Sequence, residues 1–387
     1  MSLNNQILPG QTIGIIGGGQ LGRMMAISAK EMGFFIAVLD PTPNSPCGQV
    51  ADIEITANYD DLDAIKQLAS VSDVITYEFE NIDYKALTWL EENANLPQGS
   101  HLLNITQDRG TEKSALQEIG LRVAPFLLVE NEEQLAEAVK IIGVPSVLKT
   151  CRGGYDGKGQ FVLKKSADVK EAAKLLTSGI CILEAWVPFE KEVSVIVTRN
   201  PAGEAKTFPV AENIHVENIL HQSIVPARIP EKTEAKAKEM ALKLASEFQL
   251  AGTLAVEMFV TEDGEIYINE LAPRPHNSGH YSIDACETSQ FEQHIRSVCN
   301  WPLGETTLLR PVVMTNILGE HLQPLLEKVT LLSGVKVHLY GKKEAKVKRK
   351  MGHVTVLGNT ADEALEKLDS LQIWHDSQLL KSQRRTN

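Results

Sequence analysis

A chain of 387 residues with 43% hydrophobic composition is long enough to bury a large core and to divide into two or three domains. Its net charge of -12 disfavours duplex nucleic acid, whose phosphates call for clustered Lys and Arg, and leaves small-molecule chemistry as the expectation. No apolar run reaches the roughly 20 residues of a membrane span, and MSLNNQILPGQ lacks the charged and apolar regions of a secretory signal, which predicts a soluble, cytoplasmic protein.

The first hundred residues alternate in the βαβ manner. TIGII reads as a strand, the segment after Gly22 as a helix ended by Gly33, FIAVLD as a strand, DDLDAIKQLAS as a helix and DVITYEFE as a third strand. This predicts a small, doubly wound unit over residues 1–108. Its opening, GIIGGGQLGRMM, holds Gly17-x-Gly19-x-x-Gly22, and Asp40 closes the second strand. That is close to the dinucleotide-binding fingerprint, whose glycines let a pyrophosphate rest on a helix N-terminus while the later acid holds a ribose. An NAD-dependent oxidoreductase is therefore one reading. Cys47, Cys151, Cys181, Cys286 and Cys299 are odd in number and scattered, which suggests reduced thiols.

Around residue 109 the rhythm changes. From about 145, SVLK, GQFVL, CILEAWV, KEVSVIVT, TLAVEMFV and EIYINE come mostly without crossover helices, which predicts an antiparallel sheet in a second domain over 109–305. Within it, SVLKTCRGGYDGKGQFVL sets Lys149 near the end of a strand, then Gly153, Gly154, Gly157 and Gly159 in a loop before a return strand. Such a loop brings backbone N–H groups against an anion, although an ordinary glycine-rich hairpin would read the same way. It is not a Walker A loop, because Gly157-Lys158 is followed by Gly.

Further along, LAVEMFVTEDGEIYINELAPRPHNSGH reads as a hairpin in which Val260 pairs with Glu265. On that register Glu257 and Glu270 are same-face diagonal neighbours, roughly 7–8 Å apart. Paired acids on an apolar strand face repel unless a cation neutralises them, and an all-oxygen pair favours Mg²⁺ shared with phosphates, although two solvated surface acids would read the same way. Arg274, His276 and Asn277 follow at once and could hold an anionic intermediate. His276 and His280 mimic a zinc spacing, but Pro273, Pro275 and Gly279 argue against the helix that zinc would need. After residue 305 a smaller region carries the basic run KKEAKVKRK and an amphipathic helix, ADEALEKLDSLQ.

GGGQLGRM, LDPTPNSP, TYEFEN, KTCRGGYDGKGQ, EAWVPFEKEVSV, INELAPRPHNSGH and YGKKEAKVKRKMGH together resemble the ATP-grasp ligases, in particular those that carboxylate a purine precursor. The resemblance implies an α/β (α+β) fold: a Rossmann-like pre-ATP-grasp domain at 1–108 that binds no dinucleotide, an ATP-grasp domain at 109–305 with a lid over about 122–198, and a substrate-phosphate-binding domain at 306–387. It implies ATP and Mg²⁺ as cofactors and a homodimer. It also implies the reaction of ATP, bicarbonate and 5-aminoimidazole ribonucleotide to N5-carboxyaminoimidazole ribonucleotide, ADP and phosphate by way of carboxyphosphate. Another ATP-grasp ligase, such as a formate-dependent glycinamide ribonucleotide transformylase, stays open as the alternative.

Carried residue by residue, the resemblance sets Arg109 and Lys149 at the ATP phosphates and makes Gly154, Tyr155, Asp156, Gly157, Lys158, Gly159 and Gln160 the flap over them. Glu184, Ala185, Trp186 and Val187 would read adenine. Glu192 would hold the ribose, and His215 and Asn269 would lie by the nucleotide, with Asn269 turned to the other face in the register above. Without the resemblance, Glu192 and His215 read as an ordinary strand acid and loop histidine. Glu257 and Glu270 would bind Mg²⁺, while Arg274, His276, Asn277 and Lys149 would act on bicarbonate and the transferred phosphoryl group. Lys342 and Arg349 would grip the ribonucleotide phosphate, and Gln20, Tyr155 and Arg274 the rest of that substrate. The basic run also fits a charged edge strand, and Glu78 and Glu80 receive no role.

Overall fold

The computed structural model describes residues 6–154 and 158–374. Four parallel strands form the first sheet, in the order Ile53–Thr56, Phe35–Asp40, Thr12–Ile16 and Val74–Tyr77. Both faces are covered, which is why these strands read as continuous apolar runs. Ile13, Ile15, Ile36 and Val38 pack on Met25 and Ala29 of the helix Gln20–Glu31, while Ile16, Ala37, Leu39 and Ile75 pack on Ile65 and Leu68 of the helix Leu62–Ser70. Ile53–Thr56 escaped the sequence reading because only Ile55 of its four residues is buried. Gly33, at φ +89°, terminates the first helix as expected.

The antiparallel sheet anticipated beyond residue 145 is in fact two. The smaller has the order Phe126–Val129, Cys181–Ala185, Ser146–Thr150 and Gln160–Leu163, and the helix Glu132–Ile142 buries Leu135 and Val139 against its Leu148 and Leu183. The larger has nine strands. Its main path is Ile266–Ala272, Gly252–Thr261, Phe189–Arg199, Ala211–Val216, Ile219–Val225, Val312–Leu318, Lys350–Leu357 and Val335–Leu339, with Ala205–Thr207 paired to Phe189–Arg199. Only three residues, Trp186 to Pro188, separate the last strand of one sheet from the first of the next, and no shift in composition marks the break.

Strands beyond residue 306 thus extend the same sheet that carries Glu257 and Glu270. The helix Glu231–Glu247 covers one face of that sheet with Ala237, Met240, Ala241 and Leu244. The basic run is not an edge strand. It is the loop between Val335–Leu339, which is the edge, and Lys350–Leu357. The helix Ala361–Ser370, capped by Thr360, matches the amphipathic segment expected there. Finally, Phe291, Ile295 and Val298 of the helix Gln290–Val298 join the core around Met24 and Met25, which seats the first sheet beside the loop that follows Ala272.

Candidate active site

The opening glycines are already occupied by the protein itself. Gly22 N–H donates to Glu78 Oε2 at 2.5 Å, and Gly19 N–H donates to Glu78 Oε1. A Cβ on Gly19 would lie 2.5 Å from that Oε1, so the glycines make room for a carboxylate at the helix N-terminus where a pyrophosphate would otherwise sit. Burial raises the Glu78 carboxyl, against the two amide bonds. Asp40 is likewise committed: its Oδ2 accepts from Gly18 N–H at 2.7 Å and from the Tyr59 hydroxyl at 2.7 Å. Neither acid is left for a dinucleotide.

Glu257 and Glu270 face each other directly, because the register shifts between Glu257 and Met258. Met258 pairs with Ile268 and Glu257 with Glu270, which makes Asn269 the extra residue of a β-bulge. Val260 pairs with Ile266 rather than with Glu265 as expected, and this one-residue offset at the turn together with the bulge replaces the expected diagonal register with a closer, opposed one. The bulge also brings Asn269 to the same side as Glu270, since both line one cavity, contrary to the strict alternation expected. Burial, followed by the Glu270 charge, pushes Glu257 up to about 7. Dehydration in the cleft opposes ionisation of Glu270, but the Arg109 guanidinium, 2.8 Å away, pulls it down to about 2.

The cavity beside these acids encloses about 300 Å³. Its apolar end is built by Val147, Val162, Trp186, Val187 and the rings of Phe189 and Phe259, stacked 4.5 Å apart. Its polar end presents Arg109, Lys149, Lys158, Glu192, His215 and the two acids. Lys149 Nζ lies 2.8 Å from Glu184 Oε2, and His215 Nδ1 lies 3.1 Å from Glu192 Oε2. Burial opposes protonation of His215, but the Glu192 carboxylate outweighs it and raises the imidazole. Ala185, Gly159, Gln160 and Asn269 complete the expected set here, while Tyr155, Asp156 and Gly157 lie outside the described residues.

A second cavity of about 480 Å³ is bordered by the same acids. Gly154, Gln20, Arg274 and Lys342 line it, and Lys342 Nζ donates to Gln20 Oε1 at 2.7 Å. Arg274 Nη2 lies 2.7 Å from Glu80 Oε1. Arg349 does not join this group. It is exposed, and its Nη1 donates to the Glu344 carbonyl at 3.1 Å, so Lys350 is the basic residue from the end of the run that lines the cavity. Arg109, Glu257, Glu270, His276, Asn277 and Lys350 line both spaces. Burial and the neighbouring Arg274 charge hold the His276 imidazole well below its usual range, hence neutral. Asn277 is 6% exposed, and neither its Oδ1 nor its Nδ2 has a hydrogen-bond partner among the described residues. His280 turns away from His276 into the core, toward Gln290.

Four residues that the structure brings to or behind the site received no role in the sequence reading. Glu78 and Glu80 sit in TYEFEN, where only the three-dimensional approach of Gly19, Gly22 and Arg274 gives them work. Lys350 stands among five other basic residues with nothing local to single it out. Lys113 is buried, 3.8 Å from Glu184, yet lies in a helix whose charged composition reads as solvated.

Residues 114–291 match the ATP-grasp domain, residues 10–107 the ribonucleotide synthetase preATP-grasp domain, and residues 312–367 the phosphoribosylaminoimidazole carboxylase C-terminal domain. Fold, paired acids and these matches define the class as an ATP-grasp ligase. The N5-carboxyaminoimidazole ribonucleotide synthase of Bacillus subtilis is 60% identical over 362 residues, covering 94% of this chain and 95% of its own. A crystal structure of an N5-carboxyaminoimidazole ribonucleotide synthetase in complex with ADP superposes with a TM-score of 0.95 at 67% identity, over 97% of this chain and 99% of that one. The Aspergillus clavatus enzyme in complex with ADP and 5-aminoimidazole ribonucleotide superposes with a TM-score of 0.88 at 32% identity, over 93% and 97% of the two chains. The chain belongs to the N5-carboxyaminoimidazole ribonucleotide synthase family.

Proposed function

We propose that this chain binds ATP in the first cavity and 5-aminoimidazole ribonucleotide in the second, and couples ATP cleavage to carboxylation of the ribonucleotide's exocyclic amine by bicarbonate. The observation that carries this reading is the shared wall: Glu257, Glu270, His276 and Asn277 border both cavities, so a group activated on one side can be attacked from the other. Trp186, Val187, Phe189 and Phe259 suit a purine ring, and Arg109, Lys149 and Lys158 suit the phosphates.

The acid pair fits Mg²⁺. Two opposed carboxylates, one of them pushed up by burial and by the charge of the other, would hold a divalent cation together with phosphate oxygens. When bound, Mg²⁺ neutralises charge on the transferred phosphoryl group.

A bicarbonate oxygen attacks the γ-phosphorus, the bond to ADP breaks, and carboxyphosphate forms. The ribonucleotide amine then attacks its carboxyl carbon, phosphate leaves, and the amine's proton departs. Lys149 stabilises charge on the γ-phosphoryl oxygens, and Arg274 with neutral His276 and Asn277 holds the bicarbonate. The unpartnered amide of Asn277 supports this role, since buried polar atoms seek partners. Lys342, Lys350 and Gln20 hold the ribonucleotide. The glycine loop borders both spaces through Gly154 and Lys158 and keeps water from the labile intermediate. We also infer a homodimer acting in the cytoplasm; no described helix is long and apolar enough to cross a membrane.

Phosphate release from ATP–Mg²⁺ should require bicarbonate and rise strongly with 5-aminoimidazole ribonucleotide; folded protein that binds ATP but shows no such dependence would redirect the acceptor. Ligand-dependent melting separates this reading from the dinucleotide one. ATP–Mg²⁺ at a hundredfold excess over its Kd should stabilise the chain by about 2.7 kcal/mol, and NAD should leave Tm unchanged because Glu78 fills its pyrophosphate seat.

A further inference from the structure

The strand Ile266–Ala272 ends the nine-stranded sheet, so one of its edges faces no further strand of that sheet. Edge N–H and C=O groups need partners, and a bulge disturbs the ladder further. Here the partners come from the helix Arg109–Glu118 and the segment after it. Arg122 carbonyl accepts from Ile268 N–H at 2.8 Å, Glu112 accepts from the Leu271 amide, and Arg109 holds the Glu270 carboxylate. Between them, Lys113 Nζ donates to the Ile268 carbonyl at 3.3 Å and to the Asn269 carbonyl at 2.8 Å.

Lys113 is 1% exposed, and an ammonium taken out of water costs several kcal/mol unless it is well paired. An apolar side chain would fill the same space without that cost but would give up both bonds to the bulge carbonyls. Lys113 lines neither cavity; its Nζ faces the Glu184 carboxylate at 3.8 Å, and its shorter contacts, both hydrogen bonds, go to the backbone of the bulge. That bulge decides the geometry of the acids. Side chains alternate with a period of two, so relaxing the extra residue into regular pairing would put Asn269 opposite Glu257 and turn Glu270 to the other face.

We propose that Lys113 is a positioning residue: its ammonium clamps the carbonyls of Ile268 and Asn269 and thereby holds Glu270 opposite Glu257 for the divalent cation. This rests on the reading of Glu257 and Glu270 as the Mg²⁺ acids. The test is Mn²⁺ binding in the presence of ADP, followed by electron paramagnetic resonance on the full chain, together with steady-state phosphate release. Lys113→Met should raise the Mn²⁺ dissociation constant tenfold or more and lower kcat, with KM for 5-aminoimidazole ribonucleotide unchanged and part of the turnover recovered at high Mg²⁺. Lys113→Gln, whose amide can serve one carbonyl, should fall between Lys113→Met and the unchanged protein, and it decides the matter should Lys113→Met not fold. A folded variant that loses thermal stability but binds Mn²⁺ like the parent overturns the proposal. Glu270→Gln is the control: if it keeps Mn²⁺ affinity and turnover, the metal reading itself fails, whereas its loss beside a normal Lys113→Met sinks only the role of Lys113.

Discussion

Glu270→Gln lowers bicarbonate-dependent phosphate release by at least about a thousandfold, roughly 4 kcal/mol of transition-state stabilisation, and leaves the chain folded. The substitution keeps the shape of the side chain but removes the charge that faces Glu257 and pairs with Arg109. A neutral amide is a weak ligand for Mg²⁺, so the site would lose one of the two acids proposed to hold the cation near the transferred phosphoryl group. Stability suffers less. Arg109 retains 20% side-chain exposure and can be hydrated in the cleft, so the cost is about 1–3 kcal/mol, measurable by urea unfolding. Near-normal turnover in a folded variant would remove Glu270 from the metal site.

Lys149→Met lowers kcat by about a hundredfold to a thousandfold and raises KM for ATP, while KM for 5-aminoimidazole ribonucleotide stays within about twofold. Lys149 lines the polar end of the first cavity, on a strand that leads into the glycine loop. Glu184, 4% exposed in its side chain, loses its nearer partner at 2.8 Å but keeps Lys113 at 3.8 Å, so the buried carboxylate is not abandoned. The separation of the two KM values distinguishes a phosphate-binding role from general disruption. Equal loss of affinity for both substrates would contradict the assignment of Lys149 to the nucleotide side.

The chemistry of the site was more legible in the sequence than its geometry. Glu257 and Glu270 stood out as acids in apolar strands, and the structure brings them together. Their register did not follow, because the turn pairs Val260 with Ile266 rather than Glu265 and a bulge then inserts one further residue. A local sign was present: in Ile266-Tyr267-Ile268-Asn269-Glu270-Leu271 the buried apolar positions step by two and then by three. The opening glycines misled for a different reason. Their backbone conformation suits any anion, and whether the anion is a pyrophosphate or Glu78 depends on a strand 56 residues beyond Gly22. Likewise, Lys113 and Lys350 acquire meaning only through burial and tertiary approach, which local composition does not encode. The split into two antiparallel sheets was equally silent, as both are built from the same kind of strand.

The central claim is that bicarbonate is phosphorylated by ATP at the wall shared by the two cavities. Bicarbonate labelled with ¹⁸O, supplied with unlabelled ATP–Mg²⁺ and 5-aminoimidazole ribonucleotide, tests it most directly when the released phosphate is analysed by mass spectrometry. The account predicts one ¹⁸O atom transferred into each phosphate, because the oxygen that attacks the γ-phosphorus leaves with it. Phosphate carrying only solvent and ATP oxygens, formed alongside carboxylated product, would contradict it.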